Sequence, residues 1–252
     1  MTTQEALFNY TLRLGDTNLI LGHRLSEWTG HGPFLEEDLA LTNIALDITG
    51  AANSFLEYAA TIENKGRTAD RLAFFRNDRQ FYNVQLVEQP NGDYAKTILR
   101  QVLVDCFDVY FFQELAKSND ETLAGIAQKS LKEVTYHLRH TSSWVERFGG
   151  GTEESHARIQ AALNELWQYS GEMFEMNEVD EILLKESISV DLTLVKAKWE
   201  KYMKDLLDKS GLIIPENVFM QTGSRKGIHT EYLGFLLAEM QALARMHPEA
   251  KW

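Results

Sequence analysis

Two polar residues occupy positions where helical periodicity calls for hydrocarbon, and both are of types that bind transition metals. His137 lies in the stretch 121–148, whose inner stripe runs Leu123, Ile126 or Ala127, Ser130, Val134, His137, Thr141, Val145 and Phe148 at steps of three and four. Asp105 lies in a second stripe, Tyr94, Ile98, Val102, Asp105, Val109 and Phe112. Imidazole and carboxylate together suit iron. Helical bundles that hold two irons take one Glu from each of two helices and a Glu-x-x-His pair from each of the other two. The spacing of three keeps both ligands on one helical face. Here the residue three before His137 is Val134, which has no donor atom.

Two further stripes complete the set. The first helix offers Leu14, Asn18, Leu21, Leu25 and Trp28, with Asn18 the one polar member. The second offers Leu41, Ile44, Ile48, Ala51, Phe55, Ala59 and Ile62, wholly apolar. Asn18 to Ile48 and Asp105 to Val134 are separations of about thirty residues, as two matched helical hairpins would give. Aligned on the two-iron template, the six positions are Asn18, Ile48, Ala51, Asp105, Val134 and His137. One carboxylate, one imidazole and one weak neutral amide cannot hold two irons. The expected role of Asp105 and His137 is therefore structural, each satisfying the other, because a buried charge without a partner is costly. A rotated register would bring Asp47, Asp105, Glu133 and His137 together, but would turn Ile48 and Val134 out of the core.

The elements that must position these residues are helices. The spacing predicts helices over about 4–29, 35–63, 94–117 and 121–148, then about 153–174, 190–209 and 230–246. Glu36, Glu37 and Asp38 suit the positive end of the second helix. Asp93 follows the Pro90-Asn91-Gly92 turn as an N-cap, and Gly149-Gly150-Gly151 ends the fourth helix. The connection 64–92 carries a short helix near 69–76, an extended apolar run over 84–87, and Arg and aromatic residues expected to pack on the bundle. The fold class is all-α, a ferritin-like four-helix bundle (about 4–148) with additional C-terminal helices (about 152–252) in a single domain.

The 252-residue chain has a formal net charge of −12, which excludes the basic face of a nucleic-acid binder. Its one cysteine, Cys106, sits in an apolar helix and allows no disulfide within the chain. No apolar run is long enough for a membrane span, and the N-terminus has no signal-peptide pattern, so a cytoplasmic protein is expected. One loop stands apart: Gly223-Ser224-Arg225-Lys226-Gly227-Ile228-His229-Thr230 combines glycines, two cations and a helix start, a weak form of a phosphate site. Trp252 is an aromatic that could dock on a neighbour.

The stretches LALTNIALDITGAANSFL (39–56), RNDRQFYNVQLVEQPNGDYAKTILRQ (76–101), KEVTYHLRH (132–140) and TGSRKGIHTEYLGFLLAEMQ (222–241) resemble the non-catalytic, structural subunits of bacterial phenylacetyl-CoA epoxidases, which are multicomponent monooxygenases. The resemblance covers essentially the whole chain. It implies a ferritin-like bundle without metal, paired with a homologous catalytic subunit that holds the di-iron centre. A reductase subunit of the same complex supplies electrons for epoxidation of the aromatic ring of phenylacetyl-CoA. The catalytic relative carries Asp-Glu-Ala-Gly-His where this chain has Asp47-Ile48-Thr49-Gly50-Ala51, and Lys-Glu-Glu-Ser-Phe-His where it has residues 132–137. The resemblance thus implies no cofactor in this chain. An independent di-iron oxidase using the rotated register, and an acyl-CoA-binding module using Arg225 and Lys226, are the alternatives. Whether the chain alone forms a homodimer is left open.

Overall fold

A computed structural model describes residues 1–250; Trp252 lies outside the described residues. Nine α-helices occur among them: α1 Thr3–Ser26, α2 Leu35–Glu63, α3 Ala69–Phe74, α4 Tyr94–Leu115, α5 Glu121–Gly149, α6 Glu153–Leu166, α7 Glu178–Lys185, α8 Leu192–Lys209 and α9 Glu231–Met246. No strand occurs among the described residues. The chain divides into two compact units, 1–90 with 222–252, and 91–221. The expected extension is thus shared: 153–221 belongs with α4 and α5, and the segment carrying α9 belongs with α1 and α2.

In the first unit α1 and α2 form a tight antiparallel pair. A Cβ on Gly15 would lie 2.7 Å from Leu56 Cδ2, and one on Gly22 would lie 2.6 Å from Thr49 Oγ1. These two glycines, seven residues apart, let the helices approach. They also set the register: Asn18, midway between them, is level with the 51–53 turn of α2. Thr2 and Glu5 close a capping box at the start of α1, with Glu5 N donating to Thr2 Oγ1 at 3.2 Å and Thr2 N to Glu5 Oε2 at 2.8 Å. Asn64 ends α2 in the left-handed conformation. The whole expected α2 stripe from Leu41 to Ile62 is buried.

The connection after α2 packs inward as expected. Phe81 is fully buried, with the Arg76 guanidinium 4.1 Å from its ring centroid. Arg76 in turn pairs with the buried Asp16, which also accepts from Tyr82 N at 3.0 Å. The run expected to be extended is instead a 3₁₀ turn, Gln85–Glu88. Its apolar side chains Leu86 and Val87 are buried as a strand's would be, and periodicity cannot separate the two over four residues.

In the second unit α4 and α5 form the matching pair, with Asp93 and Asp120 as side-chain N-caps. Gly149 at the end of α5 admits Ser210 O to within 2.2 Å of where its Cβ would be. Trp199 of α8 donates Nε1–H to the Leu103 carbonyl at 2.9 Å. The helix expected over 153–174 stops at Leu166 and continues as 3₁₀ turns, Trp167–Tyr169 and Gly171–Phe174. A further short helix, α7, follows where none was expected. Asn177 starts it with a capping box to Asp180.

Candidate functional site

All six template positions are buried, each within its own helix pair. On α1 and α2 the environment is hydrocarbon. Ile48 and Ala51 face the core, and Asn18 turns its amide back on its own helix, donating Nδ2–H to Leu14 O at 2.9 Å. That bond ties up the donor and leaves a neutral oxygen as the one potential ligand atom at the three positions.

On α4 and α5 the environment is polar. Asp105, 1 % exposed, accepts from Gln101 Nε2 at 2.7 Å and from Thr141 Oγ1 at 2.8 Å. From the sequence, Asp105 is expected to pair with His137. The structure gives the two carboxylate oxygens to Gln101, one turn earlier on α4, and to Thr141, one turn beyond His137 on α5. The Asp105–Thr141 contact sets the register of the pair, so Asp105 stands a turn away from the level of His137 and nearly two from Val134.

Burial pushes the Asp105 carboxyl up to about 7, against the lowering effect of its two hydrogen bonds. Asp108, which periodicity did not single out, is also buried. Its carboxyl is raised well above the usual range by burial first and by the charge of Asp105 second. Asp108 is level with Leu138, beside His137, and lies three residues from Asp105 on the same helix. Its signal in the sequence was that spacing alone. Burial, with Asp105 nearby, raises the Cys106 thiol, so it is an inert thiol at neutral pH. Ser142 and Tyr202 share a hydrogen bond at 2.9 Å next to this cluster.

This donor set does not fit a carboxylate-bridged iron pair. Ile48, Ala51 and Val134 carry no ligand atom, and Asp105 is already hydrogen-bonded and held near neutrality. Among the described residues no group of three or more His, Cys, Asp or Glu side chains is placed to hold a metal ion. The rotated register is not the orientation adopted: Ile48 and Val134 are buried, while Asp47 and Glu133 are only half-buried.

The cationic loop is built differently from a phosphate cradle. Ser224–Lys226 form a 3₁₀ turn between Gly223 and Gly227, both at positive φ. Gly227 is needed there, since a Cβ would lie 2.3 Å from Arg79 O. The start of α9 already has its anion. Fully buried Glu88 accepts from Thr230 N at 2.9 Å, Thr230 Oγ1 at 2.7 Å and Asn83 Nδ2 at 3.0 Å, and it pairs with His229. A phosphate at this loop would have only the side chains of half-buried Arg225 and exposed Lys226.

Comparisons with known proteins show the family and the fold. A model of the family described as phenylacetic acid catabolic protein matches residues 1–252. The chain belongs to that family. It is 47 % identical over 243 residues to the C subunit of 1,2-phenylacetyl-CoA epoxidase from Escherichia coli (strain K12), covering 96 % of this chain and 98 % of that one. Among solved structures it is similar to a protein from Synechococcus with aldehyde deformylating oxidase activity. That likeness has a TM-score of 0.61 and 15 % identity, and covers 84 % of this chain and 95 % of the other. At that identity it speaks for the fold alone. The fold of this member of the phenylacetic acid catabolic family is ferritin-like and all-α, as the helix pattern predicted. No helix among the described residues is long and apolar enough to cross a membrane.

Proposed function

We propose that the chain is the structural, metal-free subunit of a cytoplasmic phenylacetyl-CoA epoxidase complex in aerobic phenylacetate breakdown. It packs against a homologous di-iron subunit that performs the epoxidation, and a reductase subunit of the same complex delivers electrons to that partner. The observation that carries this reading is the burial of Ile48, Ala51 and Val134 where a di-iron bundle needs donors. Membership of the phenylacetic acid catabolic family, and 47 % identity to the C subunit of an epoxidase, support the pathway and the complex. The chain's own contribution is a folded surface that supports the catalytic bundle.

Two measurements test this. Iron analysis of the chain purified alone after expression with added iron should give well under one iron per chain. About two per chain would make it an oxidase in its own right. Co-expression should raise the soluble yield and the epoxidation rate of the di-iron subunit. A partner equally soluble and active without this chain would defeat the proposal.

A further inference from the structure

The loop before α9 carries a histidine into the interior of the first unit. The side chains of His229 and Glu88 are 4 % and 0 % exposed. Both ring nitrogens of His229 meet acceptors: Nε2 lies 2.8 Å from the Phe81 carbonyl oxygen, and Nδ1 meets Glu88 Oε1. A carbonyl oxygen can only accept, so Nε2 carries a proton. The Nδ1–Oε1 contact needs a second proton, because without it two lone pairs face each other in a buried site. Asn83 Nδ2 at 3.0 Å, Thr230 N at 2.9 Å and Thr230 Oγ1 at 2.7 Å already serve Glu88, and donors of this kind favour the anion. The second proton therefore sits on the ring, which is an imidazolium.

The charged groups packed around this pair leave the ring as its variable member. Arg24 of α1 donates Nε and Nη2 to the Glu88 carbonyl at 3.1 Å and 2.8 Å, and Nη1 to Glu27 at 2.8 Å. Arg79, in the 3₁₀ turn Asp78–Gln80, donates to the Gly227 carbonyl at 3.2 Å. Arg76, over the Phe81 ring, is paired with Asp16. Arg225 and Lys226 precede the ring in its own loop, and Glu231 and Tyr232 follow it on α9. Of these group types, imidazole is the one whose ordinary charge change lies between pH 5 and 8.

We propose that His229 and Glu88 form a proton-dependent latch, which docks the 223–230 loop and the start of α9 on the Gln85–Glu88 turn while the ring is charged and releases them when it is not. The sign follows from linkage. An unfolded histidine gives up its second proton at about pH 6.5, whereas the latched ring keeps it. The latch thus contributes fully below about pH 6.5, and its contribution is lost as pH rises through the titration of the folded ring. Release would free the Thr230 backbone N–H and hydroxyl at the helix start from their carboxylate, loosening α9 from its first turn.

The test is nitrogen NMR of the full chain labelled at histidine, with His229→Gln identifying the His229 signals among those of the seven histidines. At pH 8, where an ordinary imidazole is neutral, the His229 ring should carry protons on both nitrogens. Hydrogen exchange followed by mass spectrometry up to about pH 10 reads the release. Residues 223–237 should lose protection by roughly 10-fold or more relative to α2, at the pH where the ring loses its second proton. The reference is sound because α2 lies in the same unit as the latch, while Asp105 and Asp108 lie in the other. In His229→Gln the segment should be looser at pH 7, with no such step at higher pH. A ring that is neutral at pH 8 overturns the proposal, as does a segment that keeps its protection while the ring titrates. A ring still charged at pH 10 makes the pair a fixed bridge and overturns the latch as well.

Discussion

The α1–α2 pair and the α4–α5 pair meet the same template in opposite ways. In the first pair the template positions Ile48 and Ala51 are hydrocarbon, and the one polar member, Asn18, bonds its own helix. In the second pair the polar groups remain, and the fold has found new partners for them: Gln101 and Thr141 serve Asp105. The template positions are thus filled with hydrocarbon in one pair and hydrogen-bonded within the protein in the other. Filling leaves close-packed hydrocarbon at Ile48 and Ala51, where a charge would have to find a partner of its own. Hydrogen bonding leaves buried carboxyls that sit near neutrality and tie stability to pH.

The sharpest test of that contrast is to return a donor to the filled half. Ile48→Glu would bury a carboxylate at a position only 3 % exposed and should cost about 4 kcal/mol or more. For a chain of this size that lowers Tm by about 10 °C, read by scanning calorimetry. The same helix position turned polar without such a loss would mean that the α1–α2 interior is not dry.

The satisfied half makes the next prediction. Asp105 titrates at about 7 when folded, against 3.8 for an ordinary Asp carboxyl. The folded state therefore holds its proton more tightly than the unfolded one. That contribution favours folding below pH 3.8, is lost as pH rises toward 7, and is wholly gone above it. Asp108 acts in the same direction. Asp105→Asn keeps the shape and removes the titration, so it should stabilise the chain at pH 8 by up to about 4 kcal/mol, at about 1.4 kcal/mol per pH unit. Denaturant melts at pH 5 and pH 8 measure this; a variant whose stability falls between them as steeply as wild type would move the linkage elsewhere.

A smaller effect distinguishes the hydrogen bonds themselves. Thr141→Val deletes one donor to Asp105 and should cost about 1–3 kcal/mol. It should also move the Asp105 titration further upward, since that bond now lowers it. Carbon-detected NMR of the Asp carboxyls reads the shift. The smallest change is expected at Asn18→Ala, which loses only a bond to its own helix and should fall within about 0.5 kcal/mol of wild type. Were Asn18→Ala to cost as much as Thr141→Val, the two halves would not differ as described.

The helices and their buried faces were legible in the sequence because both are local. Each of the four long stripes repeats at 3.6 residues, and Gly, Pro and Asp residues mark their ends. That Ile48, Ala51 and Val134 bear no donor atoms was legible too, since side-chain chemistry is the same in any fold. What the tertiary structure decided was pairing across distance. Asp16 meets Arg76 and Glu88 meets His229 through segments 60 and 141 residues apart. No periodicity encodes such partners. The same holds for Asp105, whose place in the stripe was clear but whose donor, Thr141, depended on the register of α4 against α5. A shift of one turn changes which side chains meet while leaving every stripe intact, so only the packed helices could bring Thr141 to Asp105.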